Sequence, residues 1–128
     1  MQYAVHEGFA PNLTSLDVYR PAAGSEGCSD RPLVVWVHGG GWTEGDKAHG
    51  MEDKVRLFTD AGFVFASVNY RLTDITVLPP SPQHPVHDQD TADAVGWLVA
   101  NATALGIDTD RISLIGHSAG GGIVAAIT

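Results

Sequence analysis

The stretch RISLIGHSAGGGIVAAI, residues 111–127, decides the fold. Its first five residues read as an apolar strand and its last nine, small and apolar, suit a helix. Between them stands G-x-S-x-G, Gly116 to Gly120. Where such a pentapeptide turns a strand into a helix, the residues two before and two after the serine crowd together, so both must be very small. The serine is held in a strained backbone conformation that lifts its Oγ above the sheet edge. Gly116 and Gly120 meet the size requirement, which makes Ser118 the candidate nucleophile. A plain strand-end turn with Ser118 as a helix cap accounts for the serine but not for glycine on both sides.

Upstream, the chain alternates strand and helix. LVVWV, residues 33–37, is apolar on both faces, as a strand covered by helices on each side must be. Asp46 is expected to cap a helix carrying Met51, Val55 and Phe58 on one face, with Gly62 as its stop. FVFASVNY, residues 63–70, is the next strand, and Pro79, Pro80, Pro82 and Pro85 then demand a surface loop. A second helix is expected from Val86, with Asp88 and Asp90 in its first turn and Val95, Leu98, Val99 and Ala102 as its buried stripe. Gly106 ends it, and Asp108, Thr109 and Asp110 turn the chain into the last strand. One further strand, residues 15–19, is broken by Arg20 and Pro21. The pattern predicts an α/β fold with a mostly parallel sheet and helices on both faces.

HGGGW, residues 38–42, follows the first buried strand. Consecutive glycines let backbone N–H groups approach a substrate with no Cβ in the way, as the oxyanion of acyl transfer requires. A phosphate-binding loop is the rival, but the lysine of G-x-x-x-x-G-K-[ST] and the G-x-G-x-x-G spacing are both missing. A purely structural glycine turn is the other alternative. If HGGGW and Ser118 serve one carbonyl, their strands must be neighbours, which puts residues 33–37 between residues 63–70 and residues 111–115.

The composition sets the remaining bounds. With 128 residues the chain has room for one core and one domain. Seven basic against fifteen acidic side chains give a formal charge of −8 and offer nucleic acid no basic stripe. No apolar run reaches the length of a membrane span, and the start shows no secretory signal, so a cytoplasmic location is expected. The lone Cys28 reads as a free surface thiol.

The order of these elements resembles the α/β-hydrolase fold, in particular the esterases of the hormone-sensitive-lipase type and the neighbouring carboxylesterase, feruloyl-esterase-like and kynurenine-formamidase-like groups. VYRP at 18–21, VVWVHGGGW ending at Trp42, GDK at 45–47, VNYRL at 68–72, GID and DRI between 106 and 112, and GHSAGG at 116–121 carry the resemblance. It implies Ser118 as nucleophile and Gly40, Gly41 and Ala119 as oxyanion donors. His38, Gly39, Gly116 and Gly120 would be structural, and Arg71 with Asp88 a structural ion pair. No cofactor and no metal is implied, and a small-molecule ester is the expected substrate. An N-formyl amide or an aryl ester is the alternative, and a non-catalytic half-domain the competing reading.

The chain departs from the family in two places. TDITVLPPSPQHP follows YRL where lipase-type members carry APE. The family's triad runs Ser, then Asp or Glu, then His, and no acidic residue or histidine follows Ser118 here. His117 adjoins the serine and diverges from it, while His6, His49, His84 and His87 read as surface or cap residues. The expectation is a domain truncated after the nucleophile-elbow helix, with the triad acid and histidine absent and with self-association through an unpaired sheet edge.

Overall fold

The computed structural model describes residues 1–23 and 30–128, so Cys28 lies outside the described residues. A 3-10 turn at Pro11–Thr14 leads into β1 (Leu16–Tyr19), followed by β2 (Arg31–Val37), α1 (Glu52–Asp60) and β3 (Val64–Val68). Then come α2 (Val86–Ala100), the short α3 (Ala102–Leu105), β4 (Ile107–Gly116) and α4 (Ala119–Ile127).

The four strands form one sheet in the order β1-β3-β2-β4. β2 runs parallel to both β3 and β4, and β1 is antiparallel to β3. The strand of residues 33–37 therefore lies between the other two, as a shared site for both motifs requires. Val37 is paired with Gly116, so the two chemical motifs leave adjacent strands at the same level.

Alternation along β2 sorts the core onto two faces. Leu33, Val35 and Val37 join Val64, Ala66 and Val68 against Ala94, Leu98, Ala102 and Ile123 of α2, α3 and α4. Val34 and Phe65 face Met51, Val55 and Phe58 on the opposite side. Burying one such large aliphatic or aromatic side chain is worth about 1.5–3 kcal/mol, so β2 and β3 anchor both helical layers. β3 is buried at every position, whereas β4 is largely exposed beyond Ile107.

Three local expectations are corrected. Asp46 does not cap α1, whose first turn follows Met51 without a side-chain cap. Its carboxylate instead accepts from the Ala48 N–H at 2.8 Å and from the amides of Asn12 and Asn69 at 2.9 and 3.0 Å. The helix of residues 86–105 breaks at Asn101, and Gly106 ends α3 with φ +70°. Its buried face is His87, Asp90, Thr91, Ala94 and Leu98, while Val99 points to solvent. Polar groups survive on that face because each finds a partner, as when Thr91 Oγ1 donates to the His87 carbonyl at 2.9 Å.

Candidate active site

Ser118 links β4 to α4 with φ +53° and ψ −119°, a left-handed region that a non-glycine residue adopts only when its surroundings enforce it. The enforcement comes from contact. A Cβ on Gly116 would lie 2.2 Å from the Gly120 carbonyl oxygen, and one on Gly120 would lie 2.2 Å from that of Val37. The turn is pinned to β2 by the His117 N–H, which donates to the Val37 carbonyl at 3.3 Å. The first turn of α4 starts with the Gly120 N–H on the His117 carbonyl at 2.9 Å.

The glycine loop presses against this turn. A Cβ on Gly39 would stand 2.7 Å from the His117 carbonyl oxygen and 3.2 Å from Ser118 Cβ. Gly40 and Gly41 have φ of +123° and +60°, and the Gly40 carbonyl accepts the N–H groups of Thr43 and Glu44 at 3.1 Å. That tight turn occupies the Gly40 oxygen as an acceptor within the loop. Among the described residues no acceptor takes the N–H of Gly40, Gly41 or Ala119.

Below the loop sits a clamp. The buried His38 ring stacks on Tyr70 with centroids 4.4 Å apart, and the Tyr70 hydroxyl donates to the His38 carbonyl at 2.9 Å. His38 Nδ1 donates to the Gly39 carbonyl at 2.7 Å, which fixes the tautomer because that oxygen can only accept. Burial pushes the His38 imidazole below its usual range and the Tyr70 phenol up to about 12, so both are neutral at pH 7. Asn69 extends the clamp, accepting the Lys47 N–H at 2.7 Å while its amide bonds Asp46. Burial alone would raise the Asp46 pKa, but the Ala48, Asn69 and Asn12 donors hold it below the usual carboxylate range. Lys47 Nζ in turn meets Asp17 at 2.7 Å.

The expected Arg71–Asp88 pair does not form. Arg71 binds Asp90 through Nε at 2.8 Å and through a second guanidinium nitrogen at 2.7 Å, and its own N–H donates to the same carboxylate. Asp90 is fully buried, while Asp88 pairs with the exposed His84 at 3.0 Å. Two helix positions differ by about 200° in direction, so only one of the two acids can face Arg71. His87, expected at the surface, is buried, and its Nε2 lies 2.9 Å from Thr73 Oγ1. Among the described residues no histidine or carboxylate is hydrogen bonded to Ser118 Oγ.

Asn69, Tyr70, Thr73 and Asp90 were not assigned these roles from the sequence. The first two lie in VNYRL, the segment that carried part of the resemblance. Their partners, 22 and 32 positions away, left no local trace.

A family model described as BD-FAE matches residues 16–128. Cocaine esterase of Oryctolagus cuniculus is 33% identical over 114 residues, a match covering 87% of this chain and 21% of that protein. Ethyl acetate hydrolase of Pseudomonas putida is 33% identical over 110 residues, covering 86% and 32%. The propionate-bound esterase Est2 of Thermogutta terrifontis superposes with a TM-score of 0.73 at 28% identity, covering 87% of this chain and 39% of that one. An esterase of Pyrobaculum calidifontis gives 0.72 at 35% identity, covering 88% and 33%. The chain thus spans about a fifth to a third of the length of these curated relatives.

Proposed function

The chain belongs to the BD-FAE family and has the fold of the α/β-hydrolase esterases, and from that premise we propose that it supplies the nucleophile and oxyanion hole of a serine esterase. Ser118 Oγ attacks the carbonyl carbon of a carboxylic ester, and the carbonyl electron pair moves onto oxygen. The N–H groups of Gly40, Gly41 and Ala119 receive that oxyanion. One such donor is worth on the order of 3 kcal/mol in the barrier. Collapse expels the alcohol and leaves an acyl-serine, which water then hydrolyses to the carboxylic acid. In this scheme a histidine and an acid move the proton, and among the described residues no histidine is hydrogen bonded to Ser118 Oγ.

One observation carries the reading: the backbone of Ser118 at φ +53°, with Gly39 pressed on the same turn. A helix cap needs no such strain. The substrate is a small or medium carboxylic ester, in keeping with relatives named for cocaine and ethyl acetate. No cofactor takes part in the scheme.

The test is hydrolysis of p-nitrophenyl acetate by the protein in its native, full-length form. Turnover that disappears in Ser118→Ala is the expected result. Turnover that survives the substitution overturns the assignment of the nucleophile.

A further inference from the structure

The glycine loop leaves β2 at His38 and returns to the body of the fold through Gly45, Asp46 and Lys47. Its two limbs are in backbone contact. A Cβ on Gly45 would strike the His38 imidazole and the Gly39 carbonyl oxygen, and one on Gly40 would strike the Glu44 carbonyl. With no side chain between the limbs to absorb a shift, whatever holds the returning limb also sets where Gly40 and Gly41 lie.

Asn69 holds that limb. Val37 and Val68 are paired, so Asn69 stands beside His38 just past the ends of β2 and β3. It is buried, and its side-chain oxygen accepts the Lys47 N–H at 2.7 Å while its amide nitrogen donates to Asp46 at 3.0 Å. Ser67 Oγ donates to the Lys47 carbonyl at 2.7 Å, so both backbone polar groups of Lys47 are fixed from β3 and its end.

The other side of Asn69 belongs to the N-terminal arm, residues 1–15. The Asn69 N–H donates to the Ser15 carbonyl at 2.9 Å, its carbonyl accepts the Tyr3 hydroxyl at 2.7 Å, and its amide nitrogen also donates to the Asn12 carbonyl at 3.0 Å. The arm is tied to itself in turn, the Tyr3 N–H meeting the Thr14 carbonyl at 3.0 Å and Thr14 Oγ1 the Ala4 carbonyl at 2.8 Å. An amide is the group that fits, because one fork must accept from Lys47 and donate to Asp46. A carboxylate there would set a second negative charge against Asp46, and an aliphatic side chain would leave buried partners unsatisfied.

We propose that Asn69 is a positioning residue for the oxyanion hole, and that the N-terminal arm is the strut against which it holds the glycine loop. It touches no substrate and acts through Lys47, Gly45 and His38 on the donors that follow. Oxyanion donors work only within a narrow range of distance, so slack in this strut is paid in the transition state and not in substrate binding. The proposal rests on the esterase reading of the same loop.

The test compares two substrates of the native, full-length protein, p-nitrophenyl acetate and its thionoester, in which sulfur replaces the carbonyl oxygen. Sulfur accepts hydrogen bonds weakly, so the preference for the oxygen ester reports how well the donors are aimed. Asn69→Ala is expected to lower kcat for the oxygen ester several-fold with KM unchanged, and to lower the ratio of kcat/KM between oxygen ester and thionoester. Tyr3→Phe removes one hydroxyl from the arm and should move the same ratio in the same direction by less; it decides the matter if Asn69→Ala does not fold. Leu105→Ala, in α3 at the opposite end of the sheet, should lower the melting temperature and leave the ratio where it was. A ratio unchanged in the folded Asn69 and Tyr3 variants, a loss confined to KM, or an equal shift in Leu105→Ala overturns the proposal. Each of these results leaves Ser118-dependent hydrolysis standing, whereas turnover that survives Ser118→Ala removes the esterase reading itself.

Discussion

Tyr70 lies flat under the imidazole of His38, 15° from parallel, and its hydroxyl holds the carbonyl of that same histidine. One side chain thereby fixes both the ring and the backbone of the residue that starts the glycine loop. The two oxyanion donors proposed in that loop, Gly40 and Gly41, lie two and three residues further along the chain, so their aim depends on this contact.

Tyr70→Phe keeps the stacked ring and removes the hydroxyl, leaving the buried His38 carbonyl without its donor. A loss of about 1–3 kcal/mol is expected, the penalty for an unsatisfied buried acceptor. Urea unfolding followed by circular dichroism measures it. A change of only a few tenths would mean that the bond does not hold the loop.

Acid should destabilise the protein in two stages. Burial first, against smaller opposing effects, holds His38 and His87 below the ordinary histidine value of 6.5 in the folded state. The unfolded chain takes up those protons as the pH drops through 6.5 and the folded one does not, so stability is full above 6.5 and declines below it. Asp46, held below 3.8, adds a second loss once the pH falls under that value. Melting temperatures recorded across this range should be level above pH 7 and fall as the pH drops below about 6.5. A level profile through that interval contradicts the burial of the two imidazoles.

Asp90 and Asp88 should respond very differently to removal. Asp90→Ala strands the largely buried Arg71 guanidinium, a change that costs about 3–5 kcal/mol. Asp88→Ala loses a contact with the exposed His84, worth at most about 1 kcal/mol. Paired denaturation curves decide, and the opposite ranking would restore the pairing expected from the sequence.

The 128-residue chain alone should be a poor catalyst. Serine hydrolases stripped of triad members keep roughly 10³–10⁴ over water from the oxyanion hole and binding, so slow hydrolysis of p-nitrophenyl acetate is compatible with the scheme. Rates typical of an intact enzyme, lost in Ser118→Ala, would show that no outside histidine is needed.

β4 pairs with β2 along one edge, and among the described residues nothing pairs with its other edge. Ile115 is 37% exposed on this strand. An open edge beside apolar side chains recruits other strands, so the chain should form oligomers in light scattering, and Ile115→Lys should shift them toward monomer. A monodisperse monomer with a cooperative melt would count against this.

The strand order could be read from the sequence because the chemistry demanded it: two motifs serving one carbonyl cannot sit two strands apart. The strained serine was legible for a similar reason, since Gly116 and Gly120 make sense only around a turn too tight for side chains. What stayed hidden was pairing across distance. Asp46 looks like a helix cap because a cap is a local pattern, yet its carboxylate serves Asn12 and Asn69. The stripe of α2 was misplaced because apolar periodicity pointed to Val95 and Val99, while the buried face is built around His87 and Asp90. Charged and polar residues turn inward only where another segment awaits them, and that segment is not visible from within one helix.

The glycines around Ser118 also bear on heredity. Gly39, Gly116 and Gly120 each face backbone atoms closer than any β-carbon tolerates. Every missense change at a glycine codon adds a β-carbon, so at these three codons only synonymous drift is open. A mutagenesis library aimed at new substrates gains nothing by randomising them.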